Sequence, residues 1–140
     1  MACDAAKLFM AFMEAQDMGC DVVAEGEDVT VLTVGWKLKE TAVNVLFVFD
    51  SDNAHVQVKG LNFIQVAEDK ADKALRAINQ CNSRFKMVKF YLDEEHGQII
   101  ASDDAVIQLD SCAEEVFELM LAMARIIDEA YPILMKGIWS

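Results

Sequence analysis

The sequence predicts an α+β fold in which the strands of an antiparallel sheet alternate along the chain with three helices. Strand-like segments follow one another with only short polar connectors between them, which is typical of antiparallel hairpins. Segments whose apolar residues recur every three or four positions stand before, between and after them, as helices require. The chain has 140 residues, of which 54% are hydrophobic, so it can bury a large core. We therefore predict one domain over residues 1–140 with the element order α-β-β-β-α-β-β-α.

The first helix is predicted over residues 4–18, where apolar side chains recur at helical spacing. Asp4 is a candidate cap for its start, and Gly19 is the residue expected to end it. The next segment, "DVVAEGEDV", fits a strand and a loop equally well, so the order above does not count it.

Three strands are predicted at residues 29–37, 42–50 and 54–61, which are rich in β-branched and aromatic side chains. The connectors "LKET" and "SDN" join them. The middle run, Val43 to Phe49, is almost continuously apolar, so we expect this strand in the centre of the sheet with both faces covered.

The second helix is predicted over residues 68–85, with apolar positions in steps of three or four. Cys81 falls on this apolar stripe, which favours a buried structural cysteine over a catalytic or redox-sensitive thiol. Asn79 and Asn82 stand near the end of the helix, where amide side chains compete for backbone groups. We predict that they form a structural polar pair; the alternative is that they contact a ligand or a partner.

A second hairpin is predicted from residues 87–93 and 98–106, with "EEHG" as its turn and Gly97 in the left-handed conformation. The third helix begins at Ser111-Cys112-Ala113-Glu114, which has the Ser-x-x-Glu pattern of a capping box. Pro132 is expected either to kink this helix or to begin a last short turn.

Charge disfavours two classes of partner. The 24 acidic and 12 basic side chains give a net charge of −12, which opposes binding to nucleic acids and to anionic membranes. Residues 70–89 carry six bases, whereas residues 93–118 carry nine acids and no Lys or Arg. This segregation suits a surface polarised for a partner or for self-association, and it also suits two ordinary solvated faces.

The sequence predicts a cytoplasmic protein. No stretch approaches the ~18 uncharged residues of a membrane helix. The N-terminal segment lacks the features of a signal peptide.

No motif predicts catalysis or a cofactor. The four cysteines and two histidines are too widely spaced for a zinc site or a redox motif. The segment "DSDNAH" resembles half of a calcium loop, but His55 stands where the turn needs Gly and Leu61 where the loop needs Glu. A hairpin turn is therefore the favoured interpretation, with an adventitious cation site as the alternative. Phosphate-binding, dinucleotide-binding and hydrolase motifs are absent from the sequence, so we predict that the protein is not an enzyme.

Methionine supplies the candidate partner surface. Six of the eight methionines lie in the first and third predicted helices, whose apolar stripes are wider than one buried face needs. Flexible Met side chains form adaptable binding surfaces, although they also fill cores. The candidate surface consists of Met10, Met13, Leu119, Met123 and Ile126.

Three segments in this order resemble the YbjN-like family, whose fold is that of type III secretion chaperones. They are "INQCN" with Asn79 and Asn82, the hairpin "FYLDEEHGQI", and "EAYPILMKGIW" with Tyr131 and Pro132. The resemblance covers essentially the whole chain, and "SDDAVIQL" departs from it. It implies a dimerising fold that presents sheet and helix surfaces to an extended polypeptide. Members are described as sensory-transduction regulators or as proteins of unknown function, and the resemblance implies no catalytic residues.

We therefore predict a non-enzymatic, homodimeric protein of regulatory or chaperone-like type that binds a protein or peptide partner. The alternative is a small-molecule sensor with a pocket between the sheet and a helix.

Overall fold

The computed structural model describes residues 1–140 and confirms the α+β fold with an antiparallel sheet. The elements are α1 (Asp4–Ala15), β1 (Asp21–Glu25), β2 (Val29–Lys37), β3 (Ala42–Asp50), β4 (His55–Leu61), α2 (Ala71–Arg84, preceded by a 3₁₀ turn, Glu68–Lys70), β5 (Lys89–Asp93), β6 (Gln98–Val106) and α3 (Cys112–Trp139).

The six strands lie in the order β1-β2-β3-β4-β6-β5, and every neighbouring pair is antiparallel. Because β6 returns from its hairpin to pair with β4, β5 becomes an edge strand, and β1 forms the other edge.

The strand count differs from the prediction by β1, which occupies the segment that fitted a strand and a loop equally well. All five residues of β1 are exposed, and its register shifts between Val22 and Ala24, as in a β-bulge. With neither face buried, β1 has no need of the apolar alternation that reveals a strand in a sequence.

All three helices pack on one face of the sheet. Alternate residues of β3, including Phe47 and Phe49, point toward the helices and are fully buried. The Phe9 ring of α1 lies 4.8 Å from that of Phe47, measured between centroids. On α3, Ile127 packs so close to Gly60 that a Cβ at residue 60 would lie 2.6 Å from its Cδ1.

The prediction that both faces of β3 are covered is wrong. Leu46 and Val48 point away from the helices and are only partly buried, because no element packs on that side of the sheet. We call this side the open face. Its principal side chains are Val31, Thr33, Leu46, Val48, Gln57, Lys59, Tyr91, Ile100, Ser102 and Asp104.

The ends of α1 differ from those predicted. The helix ends at Ala15, and Asp17 (φ 62°) adopts the left-handed conformation in place of Gly19. The Met18 N–H then donates to the Met13 carbonyl (3.0 Å), closing the helix end in the manner of a Schellman motif. At the start, Asp4 does not cap. Instead the Ala5 N–H donates to Asn53 Oδ1 (2.9 Å) in the β3–β4 turn.

The predicted capping box of α3 does not form. Ser111 precedes the helix, but its hydroxyl donates to Glu115 Oε1 (3.0 Å), which also accepts from the Gln108 N–H (3.0 Å). Pro132 lies inside the helix, which continues to Trp139.

No helix combines the length and the apolar character needed to span a membrane. Gly97 has φ 61°, as its turn was predicted to require.

Candidate binding groove between the first and third helices

Of the two asparagines predicted as a structural pair, Asn82 takes that role and Asn79 does not. The Asn82 amide donates to the Phe90 carbonyl (3.0 Å) and accepts from the Phe90 N–H (2.8 Å), so it binds the edge strand β5 to α2. Asn79 is exposed. The carbonyls at the end of α2 are satisfied by Lys89, whose Nζ donates to those of Asn82 (2.8 Å) and Phe85 (2.7 Å). A lysine, and not the asparagine pair, therefore satisfies these carbonyls.

Cys81 is fully buried, as its place on the apolar stripe predicted. Burial raises the pKa of its thiol to about 11, against a smaller lowering effect of Arg84. The thiol is therefore protonated at neutral pH, and the structure offers no thiolate nucleophile at this position.

Four of the five residues predicted to form a partner surface lie in the core. Met13 and Met123 are fully buried, and Leu119 and Ile126 are buried as well; Met10 alone is partly exposed. The reason is that α1 and α3 pack both against the sheet and against each other, which uses the width of their apolar stripes internally. This surface is not available to a partner.

Other apolar residues of the same helices do remain accessible. Leu8 is 45% exposed and Leu121 is 36% exposed, one on each helix. Phe12 and Phe117 are half-buried, with ring centroids 5.2 Å apart across the helix pair. Leu109, which is 44% exposed in the segment before α3, lies near Phe12.

These residues border a groove of about 320 Å³ between α1 and the start of α3, which we call the α1–α3 groove. Its lining consists of Leu8, Ala11, Phe12, Leu109, Asp110, Cys112, Ala113 and Glu114. Phe117 and Leu121 extend the apolar surface along α3, because they follow Ala113 at intervals of four residues.

The charge of the groove is negative. Asp110 and Glu114 are its only ionisable carboxylates, and no Lys or Arg belongs to the lining. The positive end of the α3 dipole offsets part of this charge within the first turn. Burial raises the pKa of the Cys112 thiol, and Glu115 raises it further. The groove therefore offers an apolar floor and acidic side chains, without a reactive group.

The sequence contains the signal for this groove but not its position. The excess width of the apolar stripes on α1 and α3 indicated that some apolar residues would remain exposed. Which edge of each stripe is exposed depends on where the sheet and the other helix lie, and the pattern of one helix does not specify that.

A second concavity, of about 420 Å³, lies between the start of α2 and the β5–β6 turn. Apolar residues form part of it, and three glutamates stand around it. The lining consists of Val66, Ala67, Glu68, Ala71, Leu92, Glu94, Glu95 and Gly97.

The segment "DSDNAH" forms the β3–β4 hairpin turn, as the sequence favoured over a cation site. Asp52 closes it by accepting from the Ala54 N–H (2.8 Å), and Asp52 Oδ2 lies 2.6 Å from His55 Nδ1. The Ala54 N–H and then His55 hold the pKa of Asp52 below its usual value. With Asp50, which lies close by, Asp52 and His55 could supply three ligand atoms to a cation. Asp93, Glu95 and His96 form a similar group at the other hairpin. In each group one Asp–His pair is already bonded within its turn, and acidic surface groups of this kind are common without a metal ion, so neither group indicates a metal centre.

Comparison of the chain with protein-family models, with curated proteins and with solved structures finds no match. The resemblance to the YbjN-like family therefore stays a prediction that rests on the three quoted segments.

Proposed function

We propose that the protein is a non-enzymatic binding protein, of regulatory or chaperone-like type, that holds a segment of a partner protein in the α1–α3 groove. The observation that carries the proposal is the exposure of large apolar side chains on two adjacent helices, with a concave surface between them. Contiguous exposed apolar surface of this kind marks interaction sites in folded proteins.

The lining supports a partner segment of a particular chemistry. The floor accepts apolar or aromatic anchors, as helix-in-groove and extended-peptide complexes do. Asp110 and Glu114 favour Lys or Arg beside those anchors, because opposite charges across an interface increase the association rate and the specificity. We therefore expect an amphipathic, basic segment.

The proposal includes a homodimer located in the cytoplasm. The four cysteines are all free, which fits a reducing compartment. The location can be checked by imaging a fluorescently tagged chain in its native cell.

The test compares substitution of a groove residue with a matched substitution elsewhere. Leu8→Glu places a charge in the groove at a side chain that is 45% exposed, and Leu75→Glu makes the same change on α2 at one that is 47% exposed. The measurement is the binding of a fluorescent amphipathic peptide with Lys on its polar face, followed by anisotropy. We expect Leu8→Glu to weaken binding by roughly tenfold or more, since it replaces an apolar contact with a carboxylate that the bound peptide would cover. Leu75→Glu should leave binding unchanged.

A second peptide keeps the apolar residues and replaces each Lys by Glu. It should bind more weakly than the Lys peptide in low salt, and the difference should shrink as salt screens the charges. Equal loss of binding in the Leu8 and Leu75 variants, or equal affinity for the two peptides, would contradict the proposal.

A small-molecule sensor is the second candidate, and the cleft of about 420 Å³ beside α2 favours it because metabolite pockets begin at roughly this size. Its three glutamates would select a cationic metabolite. Saturable thermal stabilisation by an organic amine, abolished by Glu94→Gln with Glu95→Gln, would support this function. If none of the amines in a metabolite set changed the melting temperature, the cleft would be excluded as a sensor site.

A further inference from the structure

The open face carries apolar side chains that no part of the chain covers. Val31, Leu46 and Val48 form its centre on β2 and β3 and are only partly buried. Ile100, nearer the β5 edge, is 7% exposed because its neighbours on β4 and β5 surround it. In an antiparallel sheet with one solvated face, that face usually carries polar side chains.

The register of the strands arranges opposite charges in adjacent rows of this face. Ser102 lies opposite Lys59, and Asp104 lies opposite Gln57, one row further along the strands. The Lys59 Nζ donates to the Tyr91 hydroxyl (3.1 Å). On β6, which lies between β4 and β5, Ser102 is opposite Lys59 and Ile100 is opposite Tyr91, so this side chain crosses β6 between Ser102 and Ile100. The Lys59 row and the Asp104 row therefore carry opposite charges and are about 7 Å apart along the strands, the rise of two strand residues.

We propose that a second copy of this chain covers the open face, about a two-fold axis that crosses the strands between the Ser102 and Asp104 rows. Such an axis reverses the strand direction and exchanges the two rows. It places Asp104 of the partner subunit over Ser102, next to the Lys59 ammonium group, and by symmetry the same pair forms a second time. It also places Leu46 opposite Val48 of the partner subunit, which buries the apolar centre.

The charge of the whole molecule explains why this face is suited to a second copy. Two chains of net charge −12 repel each other, so a surface on which positive and negative groups meet in register favours self-association over the acidic remainder of the molecule. The acidic groups Asp50 and Asp104 lie in the rows near one end of the open face, and Lys59 and Lys37 lie in rows toward the other. Reversal about the proposed axis brings these two acids over the half of the face that carries the two lysines, which also holds Asp21 opposite Thr33.

The available area is sufficient for a stable dimer. Six strands at about 4.8 Å spacing and about 25 Å length give a face on the order of 600 Å² per copy. The interface would then bury on the order of 1,200 Å² in total, within the range of specific complexes. Two sheets packed face to face would form a sandwich whose outer layers are the helices.

This inference rests on the homodimer of the proposed function and names its interface. The test measures the dimer dissociation constant by light scattering and sedimentation at physiological ionic strength, where salt screens the long-range repulsion. Lys59→Glu and Asp104→Lys should each raise the constant roughly tenfold, because each places like charges face to face. The double variant should return it to within roughly threefold of the original, since both pairs are restored with inverted sign.

Arg76→Glu is the control for Lys59→Glu, because it makes the same change of charge on α2, on the helix side of the sheet. It should leave the constant unchanged, and circular dichroism should show that all four variants keep their fold. A monomer at all concentrations, single reversals without effect, or a double variant no better than the single ones would each overturn the inference.

The result of the dimer test can be distinguished from the result of the peptide-binding test at the α1–α3 groove. A monomeric chain whose peptide binding is still lost on Leu8→Glu would refute the interface and leave partner binding standing. A charge-reversible dimer that binds neither peptide would do the opposite.

Discussion

At the scale of single residues, the most informative side chain is Asn82. Edge strands expose unpaired N–H and C=O groups, which invite pairing with other chains. The outward groups of Phe90 on β5 are occupied by the Asn82 amide, so a helix side chain acts here as a short substitute for a neighbouring strand. Asn is suited to this because one amide presents a donor and an acceptor at once.

Asn82→Ala should destabilise the fold by about 1–3 kcal/mol, because it leaves both backbone groups of Phe90 without a partner. Asn79→Ala is the matched control, and we expect it to change the free energy of unfolding by less than about 0.5 kcal/mol, as exposed substitutions usually do. Urea unfolding followed by circular dichroism measures both. Equal effects of the two substitutions would show that the amide pairing contributes nothing of its own.

Asp103 is the second residue with a measurable consequence. Its Oδ2 is buried without a hydrogen-bond partner on the helix side of β6, while Asp104 points to the open face. Desolvation raises the pKa of Asp103, and the Asp104 charge raises it further. Because the folded pKa lies above the unfolded one, the protonated form favours folding at low pH, and this contribution is lost as pH rises through the folded pKa.

Asp103→Asn should therefore stabilise the protein at neutral pH by about 1 kcal/mol, since it removes a buried charge that lacks a partner. The gain should shrink as pH falls below the raised pKa, where the natural carboxyl is protonated too. Thermal unfolding across a pH series, with the exposed Asp28→Asn as control, measures it. A gain that is constant with pH would assign the effect to something other than ionisation.

At the scale of elements, the contact of α2 with α3 depends on a glycine. A Cβ at residue 137 would lie 2.7 Å from Ala77 Cβ, which is too close for any pair of carbon atoms that are not bonded. Ala77 Cβ is attached directly to the backbone, so it cannot rotate away. The close approach of the two helices thus requires Gly137, although glycine inside a helix is otherwise unfavourable by about 1 kcal/mol.

Gly137→Ala should destabilise the protein by about 1–3 kcal/mol, because overpacking outweighs the improved helix propensity. Adding Ala77→Gly should recover part of the loss by removing the clashing atom. Gly60→Ala, whose nearest contact is the terminal Cδ1 of Ile127, should cost less, since that atom can move. Denaturant unfolding of the three variants gives the order. A stabilised Gly137→Ala would mean that the helices can separate at no cost.

The remaining elements show where sequence patterns lose information. The predicted bounds of β2 and β3 match the structure because hydrophobic runs and polar connectors are local signals. The predicted helix ends were less accurate, because residues far away in the sequence supply some of the caps. Asn53, for example, accepts a hydrogen bond from the Ala5 N–H, 48 positions away.

At the scale of the whole molecule, the two proposed surfaces lie on different sides of the protein. The α1–α3 groove is formed by helices on one side of the sheet, and the open face is the other side. Occupation of one does not block the other, so a dimer would present two grooves.

We therefore expect one Lys-rich amphipathic peptide to bind per chain in the dimer, with independent sites. Titration calorimetry gives the stoichiometry, and light scattering should show that saturation with peptide leaves the dimer mass unchanged apart from the added ligand. Half-site binding, or dissociation on adding peptide, would show that the two surfaces are coupled.

The sequence by itself determined the fold class, most of the strands and the burial of Cys81, because periodicity reports directly which side of an element faces a core. It also indicated an excess of apolar surface on the first and third helices. Only the tertiary structure decided where that excess lies. Met13 and Met123 are buried in the core, whereas Leu8 and Phe117 remain accessible. On the sheet, Leu46 and Val48 face a side that no element covers. The reason is that exposure depends on how elements pack on one another, and the local pattern of a strand or helix does not record which neighbour is missing.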